Sequence, residues 1–210
     1  MTTVQIIQGN FDIADPSWPQ LQIWYPGKVF TSDDFSTDGD PIGRKTGSEL
    51  GGTPADFVGP AGSWDAANGE LVNIGSNGSV LIKALDADYE TSVKIKSITV
   101  SGSTTVIARR NSVDYNVNIS QLRVEVNTAG SIILRQQLDG ALSSLGSSQN
   151  AVSSGDTVAI RVVGTSVMAL VNDQIIVEAE TSVTEAGYAG IATTAVNSNS
   201  VVDDLILRAK

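Results

Sequence analysis

Residues 155–180 read GDTVAIRVVGTSVMALVNDQIIVEAE, and this stretch decides the fold class. Thr157 to Val163 and Ser166 to Val171 are apolar on both faces and rich in β-branched residues, the pattern of strands covered on two sides. Between them Gly164-Thr165 supplies the positive φ of a tight hairpin, and Asn172-Asp173 does so before Gln174 to Thr181. Three consecutive antiparallel strands are expected, the first two central.

Upstream the same grammar continues. Val93 and Ile95 alternate with Lys94 and Lys96, and Leu122, Val124 and Val126 alternate with Gln121, Arg123, Glu125 and Asn127, so each run has one apolar face and one wet face. Val113, Tyr115, Val117 and Ile119 alternate with polar residues and predict a further half-buried strand. From Ser79 onward such runs recur at roughly ten-residue spacing between Gly, Asn, Asp and Ser clusters, the signature of a sandwich or barrel. No segment of helical length carries a 3.6-residue apolar period, so helix is confined to short turns.

The chain has 210 residues, no cysteine and no histidine, and a formal charge of −10. At that length one main β domain is the default, and roughly 70% of the unfolded surface can be buried without a metal or disulfide staple. The negative charge opposes attraction to phosphate, so nucleic acid is not an expected partner. Arg109-Arg110 and Arg44-Lys45 read as solvated strand ends. No apolar run approaches the ~18 residues of a membrane-spanning helix. The opening MTTVQIIQGN has neither a basic region nor an apolar stretch of signal length, so synthesis in the cytoplasm without a signal peptide is expected.

The first thirty residues differ in character. Phe11, Trp18, Trp24, Tyr25 and Phe30 fall among Pro16, Pro19 and Pro26, a proline density that rules out a central strand. Residues 1–29 are therefore expected to form an extended N-terminal arm, and residues 30–210 the folded body. Exposed tryptophan and tyrosine are typical anchors of binding hot spots, so Trp18, Trp24 and Tyr25 are the candidate partner-docking residues.

From Asp33 the chain reads DDFSTDGDPIGRKTGSELGG, and from Gly62 to Asn73 GSWDAANGELVN; AGYAGI and VVDDLIL follow near the end. Together with residues 155–180, these segments resemble in order and spacing the concanavalin A-like lectin/glucanase family, which includes laminin G-like modules. The resemblance covers about residues 33–207. It implies an all-β, two-sheet antiparallel jelly-roll sandwich whose first and last strands, near Asp34-Phe35 and Asp204-Leu205, pair. Such jelly rolls also resemble domains of bacteriophage minor tail and other virion proteins. The fold by itself implies no activity.

Candidate chemistry is sparse. Without histidine or cysteine there is no Ser-His or Cys-His nucleophile and no common zinc site. Glycoside hydrolysis needs two carboxylates across a cleft. The Glu-x-Asp-x-x-Glu run of the family's glucanase branch is absent, and Glu178 and Glu180 read as solvent-facing strand acids. Asp38, Asp40 and Glu49 take positions 1, 3 and 12 of a calcium-loop-like spacing, but Ile42 stands where a ligand is needed and Pro41 denies a helix; they are weak metal candidates, and no cofactor is expected beyond an improbable calcium. Phe57 and Tyr89 are the candidate glycan-contact rings.

The reading that follows is a non-enzymatic virion structural or adhesion protein of a tailed bacteriophage, a minor tail or capsid-surface protein displaying a lectin-like jelly roll. Its expected partners are other virion proteins through the arm, further copies of itself, and a host-surface glycan, with no membrane insertion. An extracellular carbohydrate-binding module is the alternative, and a glycosidase a distant third.

Overall fold

The computed structural model describes residues 28–47, 52–59, 64–74, 78–97, 102–114, 118–149, 151–193 and 201–210. Among the described residues every regular element is a strand: β1 (Val29–Asp33), β2 (Phe57–Val58), β3 (Trp64–Ala67), β4 (Glu70–Asn73), β5 (Gly78–Lys83), β6 (Tyr89–Ser97), β7 (Ser103–Arg110), β8 (Gln121–Asn127), β9 (Ile132–Leu138), β10 (Ala141–Ser148), β11 (Thr157–Val163), β12 (Ser166–Val171), β13 (Gln174–Glu180), β14 (Tyr188–Thr193) and β15 (Val201–Ala209). Sheet I runs β13-β12-β11-β6-β15-β4-β3, with β1 also on β15, and sheet II runs β10-β9-β8-β7-β14-β5-β2. Every pairing is antiparallel. The two sheets form a jelly-roll sandwich.

The three-strand reading of residues 155–180 holds. β11 lies between β6 and β12, and β12 between β11 and β13. Gly164 (φ +56°) turns the first hairpin, and Asn172 (+49°) with Asp173 (+64°) the second. Asn68 (+56°) and Gly69 (+75°) likewise turn β3 into β4, which leaves Trp64 in the core. Two consecutive positive φ values are what a type I′ turn requires, and its twist matches that of the strands it joins.

Between the sheets, Val93 and Ile95 of β6, Val158, Ile160 and Val162 of β11, and Val202, Leu205 and Leu207 of β15 meet Val80, Ile82, Val106, Leu122, Val124, Val126 and Leu134 of sheet II. Each fully buried aliphatic side chain contributes about 1.5–3 kcal/mol relative to exposure. Phe35 and Phe57 stack with ring centroids 6.2 Å apart and help close one end. β1 pairs with β15 through Asp33↔Leu205 and Val29↔Arg208, so the first and last strands meet as expected. Val29, placed in the arm on sequence, is thus the first residue of β1. The rest of the arm, including Trp18, Trp24 and Tyr25, lies outside the described residues.

Three sequence expectations are corrected. No strand forms over 113–114 or 118–120; this is the β7–β8 loop, closed where Asn111 N donates to Ser120 O (3.0 Å) and Ser120 N to Asn111 Oδ1 (3.0 Å). Side-chain amides there satisfy the backbone locally and end the ladder. The outer face of β8 is not wet: Gln121 and Glu125 are buried, held by Gln137 (2.7 Å) and Arg135 (2.8 Å) from the neighbouring strand. Nor are Arg109 and Arg110 solvated, for both are about 1% exposed. Arg109 donates to the carbonyls of Ala87, Gly164 and Val183 and pairs with Asp88 (3.1 Å), tying together three loops.

Candidate functional site

The outer face of sheet I carries an open depression of about 300 Å³. The ladder builds it row by row. On three adjacent strands Arg161, Glu90 and Arg208 stand side by side, since β6 pairs Glu90 with Arg161 of β11 and with Arg208 of β15. The next row is Ala159, Ser92 and Ile206, and the third holds Thr157, Lys94 and Asp203. The small side chains of Ala159 and Ser92 in the middle row leave the hollow, and polar ones wall it.

At one wall Glu90 is almost wholly buried, yet three cations reach it: Arg161 at 2.8 Å, Lys210 at 3.2 Å and Arg208 at 3.6 Å. Paired charge offsets the cost of burying such a carboxylate. At the opposite wall a β-bulge interrupts β15. The core positions Val202 and Leu205 are separated by two residues instead of one, so the register against β6 shifts between Asp203 and Ile206. Asp204 takes φ +51°, a conformation that aspartate tolerates, and lines the hollow. Burial, and then the neighbouring Asp203 carboxylate, push its pKa upward, against the weaker pull of Lys94 at 3.9 Å. The rim is the β12–β13 turn: Thr157 N donates to Asn172 Oδ1 (3.0 Å) and Asn172 Nδ2 to Asp156 Oδ1 (2.7 Å), which fixes Asn172 and Asp173 beside the opening.

The Ser92 hydroxyl in the floor is buried and has no hydrogen-bond partner among the described residues. Its two cross-strand neighbours on that face, Ala159 and Ile206, are aliphatic and offer none.

Sequence reasoning pointed elsewhere. Phe57 and Tyr89 are 1% and 0% exposed, so neither presents a ring to a sugar. Phe57 packs under the Arg44 guanidinium (5.2 Å to the ring centroid), and the Tyr89 hydroxyl accepts from Arg109 N, with burial raising its pKa far above the usual phenol range. Asp38 Oδ1 accepts from Asn68 N (3.2 Å) and Asp40 Oδ1 from Ile42 N (2.9 Å), so both serve turns, while Glu49 lies outside the described residues. No group of three acidic side chains among the described residues is placed to hold a metal. Glu178 and Glu180 sit exposed on edge strand β13, where Glu178 accepts from Ser166 Oγ at 3.3 Å. The residues that line the hollow carried one legible signal: the doubled Asp203-Asp204 breaks the alternation of VVDDLIL.

No family model and no curated protein matches the chain. Solved structures do. A Bacillus licheniformis β-glucanase superposes with a TM-score of 0.56 at 12% identity, covering 88% of this chain and 99% of its own. SCLam, a non-specific endo-β-1,3(4)-glucanase from family GH16, gives 0.56 at 12%, covering 88% and 96%. A prokaryotic β-1,3-1,4-glucanase (lichenase) derived from a mouse hindgut metagenome gives 0.57 at 10%, covering 86% and 100%. The fold is that of the concanavalin A-like jelly rolls. At such identity the likeness establishes the fold and not the reaction. It nevertheless overturns the expectation of a non-enzyme, because the neighbours that share this fold over nearly their whole length are glucanases. That expectation rested on a one-strand acid motif and on absent histidine and cysteine, and neither test registers carboxylates that line one hollow from different strands, as Glu90 and Asp204 do.

Proposed function

We propose that this jelly roll engages polysaccharide and that the hollow on sheet I is a sugar-binding site. The observation that carries this reading is the hollow's lining: carboxylates, an amide, hydroxyls and a guanidinium converge on a volume at the lower end of ligand pockets, over a floor with an unpartnered hydroxyl. Sugar hydroxyls both donate and accept, and such a mixed wall can satisfy them. The glucanase activity of the named neighbours supports the same substrate class. Affinity electrophoresis through gels containing β-1,3-glucan, β-1,4-glucan or a uronan tests it. Retardation by at least one polysaccharide is expected, lost in Ala159→Phe, which fills the floor; equal mobility in every gel overturns the proposal.

A second reading, glycoside hydrolysis, is favoured by one specific observation. The hollow holds two carboxylates in different surroundings: Glu90 is ringed by three cations, while burial pushes the Asp204 pKa upward, the direction a catalytic acid needs. Glu90 and the Asp203–Asp204 bulge stand two ladder rows apart, about 13 Å along the strand. That backbone spacing is wider than the ~5 Å of retaining and the roughly 6.5–9.5 Å of inverting chemistry, so hydrolysis through this pair requires the two side chains to lean toward each other across the hollow. Release of reducing ends, abolished in Asp204→Asn, would establish it.

Display on a phage particle, with residues 1–29 as the docking arm, draws support only from the aromatic and proline pattern of that segment and from the resemblance; none of the neighbours named above is a virion protein. Deletion of residues 1–27 would leave the body's melting nearly unchanged and abolish incorporation into the particle.

A further inference from the structure

We infer that the hollow on sheet I selects an acidic sugar, a residue bearing a carboxylate, and seats that carboxylate between Arg208 and Ser92. The inference rests on the glycan reading above and narrows it. Three cations crowd a single carboxylate at one wall: Arg161, Arg208 and Lys210 around Glu90. Charge is not balanced there. Arg161 meets Glu90 closely, with Nε and Nη2 each at 2.8 Å from Oε2, and Lys210 reaches the same oxygen at 3.2 Å. Arg208 is left at 3.6 Å from Oε1, and its Nε makes no hydrogen bond among the described residues.

Ser92 is the independent observation. It lies one ladder row from Arg208 on the same face, 3% exposed, and its hydroxyl is an unmet donor in the floor of the hollow. A buried hydroxyl without a partner loses its hydration and receives nothing in exchange. A guanidinium with a free donor beside a free hydroxyl suits a planar carboxylate, which accepts from both. Asp204 at the opposite wall and Asp173 on the rim repel an anion and accept from hydroxyls, so they orient the ring with its carboxylate toward Arg208. A neutral sugar leaves the Arg208 donor unused.

The test is isothermal titration of the full chain with tetrasaccharides of galacturonate, glucuronate and mannuronate, each against its carboxyl-reduced counterpart of the same linkage. In at least one pair the acidic sugar binds about tenfold or more tightly, the scale of one charge-assisted contact. That advantage shrinks as sodium chloride is raised. Arg208→Gln reduces it below about threefold. Ser92→Ala removes only the unpartnered hydroxyl, lowers the same ratio, and keeps the test independent of any folding defect in Arg208→Gln. Equal affinity within every pair, or a ratio that persists in both variants, overturns the inference and leaves the glycan reading standing. If no saccharide binds here and none retards the chain in the gels, both fall together.

Discussion

Arg109 shows how far a single residue can depart from its local reading. It sits at the end of β7 at φ +50°, where its side chain turns away from solvent and satisfies three carbonyls from separate loops. Burial lowers its pKa, while the Tyr89 phenol and the Asp88 carboxylate oppose the shift. Gly190 is constrained in another way. At φ +152°, a Cβ there would lie 2.1 Å from the Val80 carbonyl oxygen across the β14–β5 ladder. Gly190→Ala is expected to destabilise by about 3 kcal/mol, read by urea titration, since overpacking and backbone strain add. Asp204 carries a pH signature. Its folded pKa is raised, so its favourable contribution is complete below the unfolded carboxylate pKa and is lost as pH rises through the folded value. Asp204→Asn, which keeps the positive φ accessible, should therefore melt higher than the parent at pH 7, with the difference vanishing at the acid end of the carboxylate range. A lower melting temperature at pH 7 would show that the ion pair with Lys94 outweighs burial.

At the scale of elements, the β12–β13 hairpin joins stability to site. Its turn residues set the rim of the hollow, and Asn172 pins the turn onto Thr157 and Asp156. Asp173 takes φ +64° as a non-glycine residue. Asp173→Gly converts the turn to Asn-Gly, the favoured type I′ pair, and should raise stability by up to about 1 kcal/mol in thermal melts. A loss would mean that the Asp173 carboxylate contributes more than its backbone costs. The β15 bulge is the second such element: by breaking strict alternation it sets two acids together on the outer face while Val202 and Leu205 stay in the core.

For the whole molecule, stability rests on the sandwich core, closed by β1 on β15. Asp38 and Asp40, the weak metal candidates, already accept backbone N–H groups in turns. The melting transition is accordingly expected to be the same in excess chelator and in millimolar calcium. A calcium-dependent rise of several degrees, lost in Asp38→Ala, would overturn this.

Strand identity, hairpin turns and the inward residues of β6, β8, β11 and β12 were legible in the sequence, because period-2 alternation and positive-φ turn residues are local properties of the chain. The all-β class, and on the resemblance the jelly roll, followed from them. The same local logic misread residues 113–114 and 118–120, which belong to a loop closed by Asn111, and it left Arg109 in solvent. The hollow on sheet I is a property of register alone. Glu90, Ser92, Ala159, Arg161, Asp204 and Arg208 come from three strands distant in sequence, and only the pairing of β6 with β11 and β15 stacks them into rows. Burial of Phe57 and Tyr89 was likewise decided by how the sheets close over them. A ring's type is written in the chain, but whether it faces water depends on which strand lies opposite.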